Sequence, residues 1–379
     1  MAEPAPLLVF ADDWGRHPSS CQHLVTRLLD HRRVVWVNTI GTRPPRLNWS
    51  TVTRGFEKLR SWFLSPSGGR QPPELGELGG LTPPAQPLVL NPKMWPSFRS
   101  RFGRGLNRRL LVRALRPVVE SLPAPPIVVT TLPLVADLVG VFPAAKWVYY
   151  CVDDFGVWPG LDGRTLQRME SELVAKVDRV IAVSETLQTH IAKLGKPSEL
   201  LTHGVDLEHF RCAPGEPASG VLFWGVIDRR MDLAFLRRLS ERTGCPIHLV
   251  GPQDNPDPEV FRLPRVEVRP AVSYDELPAL AAAASVLIMP YADLPVTRAM
   301  QPLKLKEYLA TGKPVVVRKL PATESWSDCC DVCDSPDSFA DAVIERMTTG
   351  VPADQIAARS RLAAESWDAK ARQFEEWLA

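Results

Sequence analysis

Met289-Pro-Tyr-Ala-Asp-Leu-Pro-Val-Thr-Arg-Ala-Met-Gln-Pro-Leu-Lys-Leu-Lys-Glu-Tyr-Leu-Ala-Thr-Gly-Lys-Pro-Val-Val-Val317 is the stretch on which the reading of this chain turns. An apolar run ends at Pro290 and a polar loop follows. A helix is expected from Pro302, at its first position, to just before Gly312, where another strand begins. Backbone N–H groups at such a helix start lack intrahelical partners, and the helix dipole adds positive potential there. A strand, loop and helix in this order offer a diphosphate a seat. Lys304 adds a point charge, and Glu307 shares its face and can accept hydrogen bonds from ribose hydroxyls. The competing account is a solvated ion pair on a surface helix.

The same strand-then-helix rhythm runs outward from this unit. Apolar runs at 7–10, 34–37, 127–129, 147–150 and 180–183 read as buried parallel strands, with helical patterns at 22–29 and 165–177 between them. A Pro/Gly cluster at 211–217 breaks the pattern. The rhythm then restarts with strands at 221–224, 247–250, 286–289 and 315–317. The chain is therefore expected to be α/β, with two doubly wound, Rossmann-like domains facing across a cleft. The expected bounds are 1–210 and 211–351. A helical segment, 352–379, would pack across the domain boundary through Leu362, Trp367, Phe374, Trp377 and Leu378. Residues 65–97, with 13 Pro or Gly in 33, read as an irregular excursion or a hairpin with a short strand at 88–90.

Composition narrows the function. At 379 residues, 45% apolar and 23% charged, the chain is neither disordered, collagenous nor a disulfide scaffold. It has no uninterrupted apolar run long enough for a membrane span, and its N-terminus lacks the basic region of a signal peptide. Seven scattered cysteines suit reduced thiols in a cytoplasmic protein. Cys329, Cys330 and Cys333 have no second pair or nearby His, so no metal is expected there. Net charge is +2, with 25 Lys+Arg against 19 Asp+Glu in residues 1–210 and 20 against 24 in the remainder. That balance is too weak for nucleic acid. Residues 93–116 nevertheless carry eight basic side chains and no acid, interleaved with Trp95, Phe98, Phe102, Leu106 and Leu110. Such a helix can lie on an anionic membrane surface, which would make the protein peripheral on the inner face. Otherwise it is a solvated helix with its apolar side on its own sheet.

Several segments, in collinear order, resemble retaining glycosyltransferases of the GT-B fold, in the large family 4 group. Pro302-Leu-Lys-Leu-Lys-Glu-Tyr-Leu-Ala-Thr-Gly-Lys-Pro-Val-Val is similar to the donor-binding helix. Asp178-Arg-Val-Ile-Ala-Val-Ser-Glu-Thr-Leu, His203-Gly-Val-Asp-Leu-Glu-His-Phe210 and Phe223-Trp-Gly-Val-Ile-Asp-Arg-Arg-Met-Asp232 resemble other family segments. Gln22-His-Leu and Tyr150-Cys-Val-Asp-Asp154 resemble a bacterial subgroup that builds cell-surface polysaccharides, teichuronic-acid-type transferases among them.

The resemblance implies that Lys304 and Arg229 or Arg230 contact the donor diphosphate. Gly225 would permit close backbone approach, and Glu307 would hold the ribose. The family usually has a Glu eight positions before Glu307, on the donor sugar, but here Ala299 stands there. Thr297, Arg298 or Gln301 would take over its task, with Pro302 and Leu303 completing the sugar site.

Asp153 occupies the place of a His in many relatives. With Asp154 it would serve catalysis by orienting the acceptor hydroxyl, taking its proton or stabilising charge on the sugar ring; otherwise the pair caps the next turn. Asp13, Trp14, Gly15, Arg16 and His17 follow the first strand and could line the acceptor pocket, or simply be a polar loop. The expected activity is transfer from a nucleotide-diphosphate sugar, a UDP-sugar foremost, to a hydroxyl on a sugar, a lipid-linked acceptor or another molecule. No metal or cofactor is expected. The alternatives are a catalytically inactive GT-B partner protein and a sugar-nucleotide epimerase.

Overall fold

A computed structural model describes residues 4–15, 19–38, 86–212 and 219–379. The first sheet contains β1 (Leu7–Ala11), β2 (Val34–Asn38), β3 (Leu88–Leu90), β4 (Ile127–Thr130), β5 (Lys146–Cys151), β6 (Arg179–Ala182) and β7 (Glu199–Leu200). Its order is β3-β2-β1-β4-β5-β6-β7, parallel throughout. In the second half come β8 (Val221–Trp224), β9 (Ile227–Asp228), β10 (Ile247–Val250), β11 (Gln253–Asp254), β12 (Val266–Arg269), β13 (Val286–Met289), β14 (Val315–Arg318) and β15 (Asp331–Cys333). Six of these form a second parallel sheet in the order β12-β10-β8-β13-β14-β15. The remaining two, β9 and β11, pair with each other.

Every expected apolar run became a strand because helices cover both faces of each sheet. β1, β8 and β13 are wholly buried. The short strand expected at 88–90 is the edge strand β3, parallel to β2, but the other edges escaped the reading: β12 is Val-Glu-Val-Arg, alternating rather than apolar, and β7 and β15 are only two and three residues long. Strand order reverses between β1 and β4 in one sheet and between β8 and β13 in the other. Beyond the carboxyl ends of strands at such switch points lies the crevice where doubly wound proteins bind ligands.

The helix of the decisive stretch runs Leu303–Ala310, with Pro302 as its cap rather than its first residue. The expected helix at 22–29 is Ser20–Thr26, capped by Ser19, and that at 165–177 is Gly163–Lys176. Residues 65–85 of the Pro/Gly-rich segment, and 213–218 of the linker, lie outside the described residues. Val205 and Phe210 already pack in the second core, so the chain leaves the first domain a few residues before 211.

At the other end the chain crosses back. Leu362 belongs to the second core, whereas Trp367, Ala371, Phe374 and Leu378 of the helix Trp367–Leu378 pack into the first. Phe374 tilts against Tyr150 at 5.6 Å, and Glu375 accepts from Arg32 at 2.8 Å. Phe374→Ala is expected to destabilise the protein by about 3–5 kcal/mol, read from a lower urea midpoint.

Candidate functional site

Gly225 ends β8 with φ +134°. A Cβ there would stand 2.0 Å from the Lys304 Nζ. The lysine therefore lies against bare backbone, over the Phe223 ring at 4.3 Å, and donates to the Tyr291 hydroxyl. Gly251, after β10, is equally constrained: its Cβ would be 2.0 Å from the Gly225 carbonyl oxygen. No side chain caps the helix start at Pro302.

One turn into the helix, Glu307 is half-buried and accepts from the Trp224 indole N–H at 3.2 Å. Burial pushes its carboxyl up to about 7, against the opposing pull of the indole hydrogen bond and the Lys304 and His209 charges. Tyr274 is stacked on His209 at 4.3 Å. Its buried hydroxyl has no hydrogen-bond partner among the described residues. Burial, with Glu307 nearby, raises its pKa.

The two arginines part company. Arg229 is exposed, donating to the Asn255 carbonyl at 3.2 Å and pairing with Asp257 at 3.5 Å. Arg230 is buried, chelated by Asp228 at 2.8–3.0 Å. Its guanidinium sits 5.0 Å from the Trp158 ring of the first domain and 5.5 Å from Tyr291. Asp153 follows β5 and has no side-chain hydrogen bond among the described residues. Burial pushes it up to about 7, the Arg230 charge pulls it down, and Asp154 pushes it up again. Asp154 accepts from the Gly156 N–H at 3.0 Å, the turn-capping role weighed against catalysis.

Around the first strand's end, Gln22 stitches the loop together. It donates to Asp12 at 2.8 Å and to the Asp13 carbonyl at 3.3 Å, and accepts from the Gly15 N–H at 3.0 Å. The Trp14 indole is held by Gln86 at 3.2 Å and packs edge-on against Trp36 at 4.7 Å. Those contacts turn its N–H to the scaffold rather than leaving it for an acceptor. Arg16 and His17 lie outside the described residues.

The position of the absent Glu is occupied by a buried methyl group. Ala299 packs in the first-domain core and its carbonyl accepts from the Ser184 hydroxyl at 2.7 Å. Thr297 is buried with its hydroxyl donating to backbone carbonyls at its own helix cap and accepting from the Leu294 N–H at 2.9 Å. Its hydroxyl hydrogen is thus turned to the backbone. Arg298 pairs with Asp293 at 3.1 Å, and lines with Gln301 and Lys306 a separate cavity of about 250 Å³. Lys306 is roughly 200° around the helix from Lys304, so this cavity is on the other side. Leu303 packs against the first-domain core, and Pro302 is buried.

Lys304, Glu307, Gly225, Arg230 and Asp153 thus belong to one inter-domain crevice. Trp158, Asp228, Tyr291, Trp224 and Tyr274 join it unannounced. Of these, Tyr291 directly follows the strand and Pro290 in the decisive stretch, and Trp224 and Asp228 lie in the quoted segment 223–232, whereas Trp158 and Tyr274 had no signal.

Residues 230–349 match the family described as "Glycosyl transferases group 1". The chain is 27% identical over 178 residues to the "Putative teichuronic acid biosynthesis glycosyltransferase TuaH" of Bacillus subtilis, covering 42% of this chain and 45% of that relative. It thus aligns with under half the length of that protein. Sucrose-phosphate synthase from Thermosynechococcus elongatus superposes with a TM-score of 0.69 at 15% identity, covering 99% of this chain and 98% of that one. Anabaena HepE, solved in complex with UDP-glucose, gives 0.67 at 13% identity, covering 99% of each. The chain is a GT-B-fold protein. Its second domain carries the glycosyl transferases group 1 match.

Two of the crevice carboxyls are raised from their ordinary values, 3.8 for Asp153 and 4.5 for Glu307, to about 7. A raised acid binds its proton more tightly folded than unfolded, so stability falls as pH rises through this window and levels off above about 7. Melting temperature followed from pH 4 to pH 8 should therefore drop less in Asp153→Asn/Glu307→Gln than in the wild type. Parallel profiles would show that neither group titrates this way.

Proposed function

We propose that the chain is a cytoplasmic, metal-independent, retaining glycosyltransferase that moves a sugar from a uridine-diphosphate donor to an acceptor hydroxyl in surface polysaccharide or glycolipid synthesis. The observation that carries this is the Lys304–Gly225 contact beside Glu307. A cation laid on glycine backbone, at an uncapped helix start, next to a carboxylate one turn away, has the chemistry to hold a diphosphate and its ribose together. The similarity to a teichuronic acid enzyme supports the polymer class, and neighbours solved with UDP-glucose support the base.

In this reading Lys304 and the helix start stabilise the departing diphosphate, with Arg230 contributing once its pairing with Asp228 is shared. The acceptor oxygen attacks on the face from which the diphosphate leaves. One bond forms to the sugar carbon as the bond to the phosphate oxygen breaks, and the acceptor proton passes to that phosphate oxygen. Asp153 orients the acceptor hydroxyl, and the Trp158–Arg230 contact shields the crevice from water. A catalytically inactive GT-B partner is the second reading, and Ala299 is the observation in its favour.

Thermal shift with UDP, GDP, ADP and their sugar conjugates separates the two. A nucleotide at about a hundred times its dissociation constant adds about 2.7 kcal/mol to stability. UDP or a UDP-sugar is expected to raise the melting temperature of the wild type, and Glu307→Gln to lose most of that rise. No response to any nucleotide would move the inactive-partner reading to the front.

A further inference from the structure

We infer that the outward face of the helix Arg101–Glu120 docks on an anionic lipid bilayer. Arg101, Arg108, Arg109, Arg113 and Arg116 are all exposed. None has an acidic partner among the described residues. At 100° per residue they fall, with Phe102, inside one arc of about 140°. The contrast with Arg104 on the same helix is sharp. Arg104 points inward and is clamped by Asp137 at 2.7 Å and by Glu172. Structural arginines here find carboxylates; the five outward ones have been left without any.

Charge alone would suit any polyanion, but a ring chooses among partners. Phe102, inside that arc, is 77% exposed. An apolar ring held in water amid cations gains by entering the headgroup and acyl boundary, and gains nothing on a hydrophilic polyanion. Cations of this kind are drawn to an anionic leaflet, each worth about fivefold in partitioning. The lower flank of the patch continues onto the next helix, where Arg168 donates to the Arg99 carbonyl at 3.5 Å.

The patch also has a fixed relation to the crevice. Arg99 pairs with Asp162 at 2.6 Å, at the end of the loop that carries Asp153 and Trp158. Docking through Phe102 therefore sets the first-domain wall of the crevice beside the bilayer. An acceptor presented from the lipid surface follows from that orientation, a consequence that rests on the transferase reading, whereas the docking itself does not.

The test is co-sedimentation of the whole protein with phosphatidylcholine vesicles, with and without phosphatidylglycerol. Binding is expected only to the anionic vesicles and should weaken as salt rises. Arg109→Gln/Arg113→Gln/Arg116→Gln should reduce it on the order of a hundredfold. Phe102→Ser should reduce it roughly tenfold while leaving retention on a heparin column unchanged. Unaltered melting temperatures show that both variants fold. The inference is overturned if anionic vesicles do not bind the wild type, or if the triple variant binds them as well. It is equally overturned if Phe102→Ser is without effect, since the surface is then a reader of polyanions such as nucleic acid. Vesicle binding needs no nucleotide, so a failed nucleotide panel with intact, ring-dependent vesicle binding would sink the transferase reading and leave this one standing.

Discussion

The contact between the Lys304 ammonium and the backbone at Gly225 organises the crevice. It needs a residue without Cβ at the end of β8, and Gly251 at the end of β10 keeps the next layer equally bare. Phe223 and Tyr291 flank the lysine stem with rings, so its charge is fixed in place by cation–π and hydrogen-bond contacts rather than left to swing in solvent. Glu307 and Tyr308 then tie the helix to the same strand end: Trp224 donates its indole N–H to the first and its backbone N–H to the hydroxyl of the second, at 3.2 and 3.0 Å. The helix can shift neither along nor away from β8 without breaking these bonds.

The opposite side of that helix does structural work of another kind. Lys306 is buried, pairs with Glu365 and donates to the Thr202 hydroxyl at 3.2 Å and to the His203 carbonyl. Glu365 also takes Lys370 at 2.8 Å. Two lysines and one carboxylate therefore pin the helix Leu303–Ala310 to the segment entering the second domain and to the segment leaving it. Burial drops Lys306 to about 8, with Glu365 resisting the shift. His203, buried beside it, is pushed down to about 3 by burial and by the Lys306 charge, and stays neutral at ordinary pH. Breaking such a set by removing Glu365 would strand two cations, so its value lies in holding geometry as much as in net stability.

What could be read from sequence follows from how far each signal reaches. Parallel strands buried on both faces are continuous apolar runs, so both sheets were legible. The edge strand Val266–Arg269 carries half that signal and was not. Among the candidate residues, Lys304 and Glu307 were placed on one face by the helix start, and Gly225 was singled out through the family resemblance. Trp158 and Tyr274 reach the crevice only through tertiary packing, and nothing in their neighbours announces it. Arg229 and Arg230 show the limit well. The pair was visible as a pair, but which member turns inward depends on the Asp228 carboxylate and on a ring from the other domain.

Ala299 bears on how the crevice balances its charge. With a methyl group there, packed on the first-domain core and anchored through Ser184, position 299 adds no carboxyl to Asp153, Glu307 and the Arg230-paired Asp228. The crevice then sets two raised acids against Lys304 and Arg230. In the proposed donor complex a diphosphate adds negative charge close to both acids and pushes each further toward its neutral form. Glu307 could then donate to a ribose oxygen as well as accept from its hydroxyl, and Asp153 could keep its proton while the acceptor oxygen is positioned. A carboxylate at position 299 would raise the cost of ionising all three. A neutral residue there adds no further carboxylate to compete with the phosphates for Lys304 and Arg230.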